Sequence, residues 1–270
     1  MSEGELKYCS DCQPLIAYIS QVVQPDAVYW LGGLAHEQKS QTIFSSSRIA
    51  SSFSKEYFVL ILIPENDGKS TYEWEDIIET HCKPSVSITC IVLQTHTFEQ
   101  WLQAGYTFAV KVCQQGELIY NQYYPQLNNT HNSKCTDENE INAFYKLGLS
   151  KAKEFLKTAE LCSLCQQNTL AVFMLHQSTE QGLTALLKSG VGYHRRTHNL
   201  GRLIRLSYLI TSKTQQIFPQ DSEQDKRLFK LLQNAYSDAR YKRNYKVSNA
   251  DLSVLLDRVK SLVELLCRDF

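Results

Sequence analysis

A basic and aromatic segment near the C-terminal end of the chain, residues 234–247, has the residue types that hold a phosphate group. It reads NAYSDARYKRNYKV, and its basic and tyrosine side chains are Arg240, Lys242, Arg243, Lys246, Tyr236, Tyr241 and Tyr245. A guanidinium group forms paired hydrogen bonds to phosphate, and a tyrosine ring stacks on a nucleobase. The segment therefore favours RNA or nucleotide binding. A solvated helix end whose tyrosines pack into a dimer interface is the structural alternative.

Cleavage of RNA needs a proton carrier beside the phosphate-binding groups, and histidine suits this task because its pKa is near neutral. No histidine follows Arg240 in the segment. Tyr245 is also in the segment, but an unperturbed tyrosine titrates near ~10 and is a poor base at neutral pH. Two distant histidines, His176 and His198, are the remaining candidates. The segment therefore favours RNA binding over RNA cleavage.

Two further groups of polar residues accompany this segment. His176, Gln177 and Glu180 lie on a predicted helix, where residues four apart can touch. They either contact a ligand or form a hydrogen-bonded network inside the bundle. Arg195 and Arg196 precede His198, which makes phosphate contact plausible there. The neighbouring Thr197 and Asn199 are suited to capping the next helix.

Helical periodicity extends over residues 141–270 and places these residues on defined elements. Apolar residues fall on one face in each of five segments, which are 141–159, 170–190, 199–210, 225–240 and 252–266. Helices joined by short to moderate loops are typical of an antiparallel bundle. We therefore expect an all-α antiparallel helical bundle over 141–270.

The first half of the chain alternates short apolar runs with amphipathic segments, as in an α/β sheet domain. Predicted strands are 27–33, 57–64, 85–94 and 116–121, and predicted helices are 72–81 and 98–105. Residues 121–140 are polar and lack periodicity. The sequence predicts a two-domain α+β chain with a sheet domain at 1–125, a linker at 126–140 and the bundle at 141–270.

The two halves differ sharply in charge. Residues 1–140 hold 8 Lys and Arg against 17 Asp and Glu, net −9, and residues 141–270 hold 20 against 11, net +9. The positive charge of residues 141–270 is compatible with nucleic-acid binding by that half. The negative charge of residues 1–140 argues against nucleic-acid binding over the whole surface. An acidic domain that gates a basic cleft fits this division. Charge reversal at Glu73, Glu75 and Asp76 would test it.

Cysteine usage and hydropathy predict a cytoplasmic protein without a membrane span. Nine cysteines are scattered along the chain, which favours reduced thiols. The pairs Cys9/Cys12 and Cys162/Cys165 are far apart, so buried thiols are favoured over a shared zinc site. No apolar signal segment is evident, and the longest apolar run, 57–64, is too short to span a bilayer. We expect no metal and no cofactor.

The sheet half resembles the minimal nucleotidyltransferases, over about residues 10–125. The segment VYWLGGLA is similar to the family's first strand and Gly-Ser turn, SKEYFVLILIP to its Asp-x-Asp strand, and SVSITCIVL to its third strand. The matching positions are Gly32, Gly33, Glu56, Phe58 and Ser87. Two Mg²⁺ ions need several oxygen anions, and Glu56 alone does not provide them. The resemblance therefore implies a degenerate, inactive domain, and an unrelated α/β interaction domain is the alternative.

The helical half resembles the HEPN domains. The family pattern is matched by LHQSTEQGLTALLKSG, RRTHNLGRLIRL and SDARYKRNYKV, in that order. Thr184 departs from the lysine that the pattern often has. The resemblance implies a homodimer with the basic stretch near its cleft, and an Arg-x4–6-His motif in family ribonucleases. That motif is incomplete here because no histidine follows Arg240.

Together these features predict a non-catalytic nucleotide- or RNA-binding protein of toxin–antitoxin-like type. The expected ligand contacts are Arg240, Tyr241, Lys242, Arg243, His198, Arg195, Arg196, His176, Gln177 and Glu180. A metal-independent ribonuclease that uses Arg240 with His198 is one alternative. A dimeric scaffold without a ligand is the other.

Overall fold

The structure, a computed structural model, describes residues 13–35, 40–42, 54–65, 68–82, 87–122, 138–193 and 196–270. The chain divides into two compact units, Met1–Thr136 and Asp137–Phe270. Most of the segment predicted as a linker, 126–140, lies outside the described residues. Among the described helices, none combines the length and apolar character needed to cross a membrane.

The N-terminal unit is a mixed five-stranded sheet with helices. Its elements are α1 (Gln13–Val23), β1 (Ala27–Ala35), β2 (Ser40–Thr42), β3 (Ser54–Ile63), α2 (Thr71–Cys82), β4 (Ser87–Gln94), α3 (Thr95–Gln103), α4 (Thr107–Gln115) and β5 (Glu117–Asn121). The strand order is β2-β1-β3-β4, and β5 pairs with β1. Strands β3 and β4 are parallel, and the other pairs are antiparallel. All four predicted strands are present, whereas periodicity did not predict α1, β2 and α4.

Alternation along β3 explains how the sheet is buried on both faces. Val59, Ile61 and Ile63 belong to a core cluster with residues of α1 and α2. Phe58 and Leu60 point to the opposite face and are 1% and 0% exposed. The apolar run read from the sequence is thus a central strand of the sheet.

The edge of the sheet at β4 is covered by two carboxylates of α2. The Val92 N–H donates to Glu75 Oε1 at 3.0 Å, and the Cys90 N–H donates to Glu79 Oε1 at 3.2 Å. Both glutamates are buried. Unpaired N–H groups on an edge strand invite pairing with another chain, and these side chains occupy them. Glu75 is therefore a structural residue, which corrects its use as a surface charge in the gating hypothesis.

The C-terminal unit is helical throughout its regular structure. Its elements are α5 (Glu138–Leu164), α6 (Asn168–Gly190), α7 (Leu200–Ser207), α8 (Lys213–Ile217), α9 (Glu223–Tyr241) and α10 (Asn249–Asp269). All five predicted helices are present, and the short α8 is additional. Side chains of Asn199, Ser222 and Ser248 cap α7, α9 and α10 by accepting a backbone N–H three residues on.

Contacts along α5 and α6 confirm that the two helices are antiparallel. Gly148 lies against Ala185, and the Ala152 carbonyl accepts a 2.8 Å hydrogen bond from Ser178 Oγ. A Cβ on Gly148 would stand 2.7 Å from the Ala185 Cβ, so this close approach requires glycine. The closely packed α5–α6 pair supports the α6 residues that form the candidate site.

Two ion pairs join α9 to α10 and hold the helix that carries the basic segment. Arg227 makes a bidentate pair with Asp251, at 3.0 and 2.5 Å, and Arg258 pairs with Asp225. The hydrogen bonds from Arg227 lower the pKa of Asp251 below its ordinary value. Both pairs position α9 from the end opposite to Arg240.

Candidate nucleotide-binding site

The ring of Tyr236 on α9 is the centre of the candidate site. The imidazole of His198 stacks on it with ring centroids 3.6 Å apart and planes inclined by 16°. The guanidinium carbon of Arg240, one helical turn further on, lies 4.1 Å from the same centroid. Two groups this close to one centroid cannot share a face. The imidazole and the guanidinium therefore lie on opposite faces of Tyr236.

His198 is fixed by side chains from two helices. Its Nδ1 lies 2.9 Å from Glu180 Oε2, and its backbone carbonyl accepts hydrogen bonds from His176 Nε2 at 3.2 Å and Gln233 Nε2 at 3.1 Å. A carboxylate at Nδ1 favours the proton on that nitrogen, which leaves Nε2 as the acceptor in the neutral ring. The side chain is 51% exposed, so Nε2 can meet a ligand.

His176 supports His198 and is itself enclosed. It is 0% exposed, and Gln177 Nε2 lies 3.3 Å from its Nδ1 in a donating position. Burial lowers the pKa of His176 to about 4, and the charges of His198 and Arg240 act in the same direction. A neutral ring is consistent with Nε2–H donating to the His198 carbonyl. His176, Gln177 and Glu180 thus belong to one polar network that is completed by His198, as one of the two sequence interpretations expected.

The Nε of Arg240 is held by a hydrogen bond, whereas its two terminal amino groups are available to a ligand. Its Nε donates to the Tyr236 carbonyl at 2.6 Å, and its guanidinium carbon lies 5.8 Å from the Phe173 ring centroid and 5.1 Å from that of Tyr241. Within the described part of the chain, the two terminal amino groups of the guanidinium form no hydrogen bond. They are available to a phosphate in the paired geometry that arginine favours.

A pocket of about 570 Å³ adjoins Arg240. It lies between the start of α6 and the segment that follows α9. Its lining residues are Gln166, Gln167, Asn168, Thr169, Leu170, Phe173, Ala239, Arg240, Lys246 and Val247. A volume in this range is usual for small-molecule sites. Lys246 lines the same pocket and is a second cation beside the Arg240 guanidinium.

The other residues of the basic segment have different surroundings. Tyr241 is 78% exposed, and Arg243 is exposed as well. Lys242 pairs with Asp238 at 2.8 Å, one turn back on α9. Tyr245 donates its hydroxyl to the Leu231 carbonyl at 2.8 Å, and burial raises its pKa far above the ordinary value. Tyr245 is therefore a structural residue and cannot act as a base near neutral pH.

Two predicted contacts lie at the limits of the described residues. Arg196 is exposed beside His198, and Arg195 lies outside the described residues.

The sequence interpretation missed Gln233, which accepts the Gly201 N–H at 3.1 Å through Oε1 and donates to the His198 carbonyl through Nε2. Gln233 lies one turn before Tyr236 on α9, and this spacing could have indicated from the sequence that it belongs to the site.

The five nucleotidyltransferase-like positions of the N-terminal unit lie on three neighbouring strands. Gly32 is opposite Phe58, and Glu56 is opposite Ser87. Glu56 accepts a 2.5 Å hydrogen bond from Thr89 Oγ1, and Phe58 is 1% exposed. Over the described ranges no cluster of three His, Cys, Asp or Glu side chains suited to a metal ion occurs. Of the two CxxC pairs, Cys9 and Cys12 lie outside the described residues.

The chain has two units, a mixed sheet with helices followed by a helical unit. Residues 145–270 match the HEPN domain family, which confirms the expectation for the helical half. No curated protein matches the chain. Among solved structures, a nucleotidyltransferase-like protein from Exiguobacterium sibiricum is similar over 94% of this chain and 73% of its own, with 8% identity and a TM-score of 0.29. The HEPN match fits a nucleotide- or RNA-related protein.

Proposed function

We propose that the C-terminal unit binds RNA or a nucleotide, with Arg240 as the principal phosphate ligand. This proposal rests on the contacts that the Arg240 guanidinium makes. Its Nε is held by the Tyr236 carbonyl and its plane contacts aromatic rings, while its terminal amino groups face no hydrogen-bond acceptor among the described residues. Such a group at the rim of a pocket is suited to an incoming anion.

Neighbouring residues supply the rest of a nucleotide-binding surface. Lys246 adds a second positive charge at the pocket. Phe173 lies in the pocket wall, and the Tyr241 ring is 78% exposed beside Arg240. Stacking of a base on an aromatic side chain contributes roughly 1–3 kcal/mol. Cations interleaved with rings thus fit single-stranded nucleic acid better than a purely acidic peptide.

Arg240→Ala is expected to weaken retention of mixed RNA at least tenfold, because a hydrogen bond to a charged group contributes about 1.5–3 kcal/mol. Arg240→Lys is expected to restore only part of it, since an ammonium cannot form the paired contact. Filter retention at low salt in EDTA measures both. Arg268→Ala, an exposed arginine at the end of α10, is the matched control. Equal retention by Arg240→Ala and Arg268→Ala would contradict the proposal, and no retention by the wild type would favour a scaffold.

A second function, metal-independent RNA cleavage, is supported by the Glu180–His198 contact of 2.9 Å. In this scheme His198 Nε2 removes the proton from a ribose 2′-hydroxyl, and the oxygen attacks the adjacent phosphorus. The 5′-oxygen then leaves with a proton taken from water, the imidazolium returns its proton to the hydroxide formed, and the products are a 2′,3′-cyclic phosphate and a free 5′-hydroxyl. Glu180 stabilises the imidazolium, and Arg240 neutralises charge on the phosphate. A phosphate at the rim of the Tyr236 ring would lie between the two groups.

Loss of a positioned acid or base lowers a rate by roughly 10²–10⁴-fold, so His198→Ala is expected to abolish detectable cleavage in EDTA. Glu180→Gln is expected to lower the rate less, because an amide oxygen can still orient Nδ1 but cannot stabilise the imidazolium. Gel analysis of labelled RNA with the Arg268→Ala control measures both variants. Intact RNA that is retained by wild type would rule out cleavage and leave binding. Cleavage that survives His198→Ala would assign it to another source.

A homodimer formed through the bundle belongs to the same proposal. Leu147, Leu161 and Leu164 on α5 are 57%, 55% and 81% exposed. Exposed leucines on one helix support an interface with a second copy. The acidic N-terminal unit has no assigned ligand in this scheme.

A further inference from the structure

We propose that Cys162 and Cys165 are a redox-active pair, which forms a disulfide when a low-molecular-weight disulfide such as glutathione disulfide is the oxidant. Formation of this bond alters the turn between α5 and α6, which is one wall of the pocket beside Arg240. The inference goes beyond the proposed function and does not depend on it, because it concerns the covalent state of two thiols. It assigns a modification site to the motif CSLC at the end of α5.

The two thiols differ in exposure, as expected for a reactive thiol that has a resolving thiol beside it. Cys165 is exposed, whereas Cys162 is buried with 9% exposure. This difference corrects the expectation from the sequence that both thiols of the pair are buried. An oxidant in solution therefore meets Cys165 first, and Cys162 lies one helical turn before it.

Backbone hydrogen bonds fix the separation of the two cysteines. The Gln167 N–H donates to the Cys162 carbonyl at 2.8 Å, and the Gln166 N–H donates at 2.9 Å to the carbonyl of Ser163. With a φ of 59° at Gln166, these bonds form a Schellman motif, in which the chain keeps helical geometry as far as Cys165. Residues three apart in a helix have Cα atoms about 5 Å apart, within the range of roughly 4.4–6.8 Å that a disulfide needs.

A disulfide fits this spacing only with strain. In a helix the Cβ atoms of residues three apart are about 5–6 Å apart, whereas a disulfide needs about 3.5–4.5 Å. The helix end must therefore tighten by about 1–2 Å when the bond forms. Strained or exposed disulfides are readily reduced, and they are typical of regulatory pairs. The pair is thus open in a reducing compartment and forms its bond under oxidising conditions.

The reaction consists of two thiol–disulfide exchanges. The Cys165 thiolate attacks one sulfur of glutathione disulfide, which forms a mixed disulfide and releases a glutathione thiolate. The Cys162 thiolate then attacks the Cys165 sulfur and releases the second glutathione thiolate. Two protein thiols are oxidised and one glutathione disulfide is reduced to two glutathiones. The protons that the cysteines give up are taken by the two released thiolates.

Other described cysteines are less suited to this exchange. Burial raises the pKa of Cys82 and that of Cys113 to about 11, so little of either thiol is ionised near neutral pH. Cys267 is exposed near the end of α10, about 27 Å along the helix from its first residue, Asn249. Asn249 is the part of α10 that contacts Asn168 at the start of α6. Cys267 is therefore distant from the pair and serves as a control for an exposed thiol.

The disulfide acts on the pocket through the turn that it tightens. Gln166 and Gln167 follow the pair directly and line the pocket. The next residue is held from the other side, because Asn168 Nδ2 donates to the Val247 carbonyl at 3.0 Å. With the start of α6 held there, the two glutamines take up the displacement. The hydrogen bond from the Gln167 N–H to the Cys162 carbonyl is the one that the disulfide breaks.

Mass spectrometry of the full chain after treatment with glutathione disulfide tests the pair. The tryptic peptide 158–188 contains these two cysteines and no other. In the wild type this peptide is expected to lose two hydrogen atoms, to resist alkylation and to recover both thiols in dithiothreitol. Cys162→Ala is expected to retain a glutathione on Cys165, whereas Cys165→Ser is expected to retain none on Cys162. Cys267→Ser, the matched control at an exposed cysteine, is expected to form the disulfide like the wild type.

Hydrogen exchange of single amides, followed by NMR, measures the effect on the pocket wall without any ligand. The amides of Gln166 and Gln167 are expected to exchange at least threefold faster in the oxidised wild type than in the reduced protein, because the hydrogen bonds that protect them are lost. Cys165→Ser treated with the same oxidant is expected to keep the rates of the reduced protein.

Three results would overturn the inference. A stable glutathione adduct on Cys165 in the wild type, or a disulfide between two copies on a non-reducing gel, would overturn the intramolecular pair. Unchanged amide exchange in the oxidised wild type would overturn the effect on the pocket wall. None of these results bears on RNA retention by the reduced protein or on its dependence on Arg240, so failure of this inference is distinguishable from failure of the proposed function.

Discussion

Glu75→Lys is expected to destabilise the N-terminal unit by about 3–5 kcal/mol, whereas Asp76→Lys is expected to leave its stability nearly unchanged. Glu75 is 1% exposed and accepts the Val92 N–H of the edge strand, whereas Asp76 is exposed on the same helix. The lysine would leave the Val92 N–H without its acceptor and place a buried ammonium beside this donor, and an uncompensated buried charge has a cost of this magnitude. The two variants differ only in which side of α2 receives the charge.

Tryptophan fluorescence during urea unfolding measures this effect separately from the C-terminal unit. The three tryptophans, Trp30, Trp74 and Trp101, all lie in the first half of the chain. Glu75→Gln, which keeps an oxygen acceptor, is expected to fall between the wild type and Glu75→Lys. Equal transition midpoints for Glu75→Lys and Asp76→Lys would show that the carboxylate does not support the edge strand.

The free energy of unfolding of the C-terminal unit is expected to fall by about 2 kcal/mol between about pH 8 and about pH 5, owing to His176. The pKa of this buried imidazole is lowered from 6.5 to about 4 in the folded chain. Below about pH 6.5 the unfolded chain therefore binds a proton that the folded chain does not. Stability is lost as the pH falls from the unfolded pKa toward the folded one.

His176→Gln isolates this contribution because an amide can still donate to the His198 carbonyl but does not titrate. Denaturant unfolding followed by helical circular dichroism is expected to give a flatter pH dependence for the variant. His198, Glu180 and Arg240 remain in both proteins, so the difference between the curves belongs to His176. Carboxylates with lowered pKa, such as Asp225 and Asp251, lose their stabilising effect only at lower pH. Parallel curves would contradict the prediction.

Periodicity and caps were sufficient to predict most elements, but not α1, β2, α4 and α8. The helical segments are long, and their apolar faces and the cap at Asn199 are local features. Strand β2 spans only Ser40–Thr42 and has no apolar alternation, so it forms because β1 provides a pairing partner. Helix α4 contains the β-branched residues Val110 and Val112, whose local preference is overridden by burial in the core.

The candidate site was predictable within one helix and not across helices. Spacing placed His176 and Glu180 together, and their Nδ1 and Oε2 atoms are 3.7 Å apart. The closer partner of Glu180 is His198, which comes from a segment 18 residues away. Tyr236 was one of several tyrosines in the basic segment, and its central place depends on how α9 packs on α6. Such pairings arise from tertiary structure and leave no mark in local sequence.

The backbone carbonyl of His198 accepts two hydrogen bonds, which restrict the motion of its main chain. Donors from α6 and α9 hold its backbone, while half of its side chain remains in solvent. The main chain of His198 is therefore held at its carbonyl, while its imidazole remains accessible. A ligand that reaches the ring meets a group whose main chain is already ordered. Little conformational entropy is then lost on binding, so even a small set of contacts can give measurable affinity.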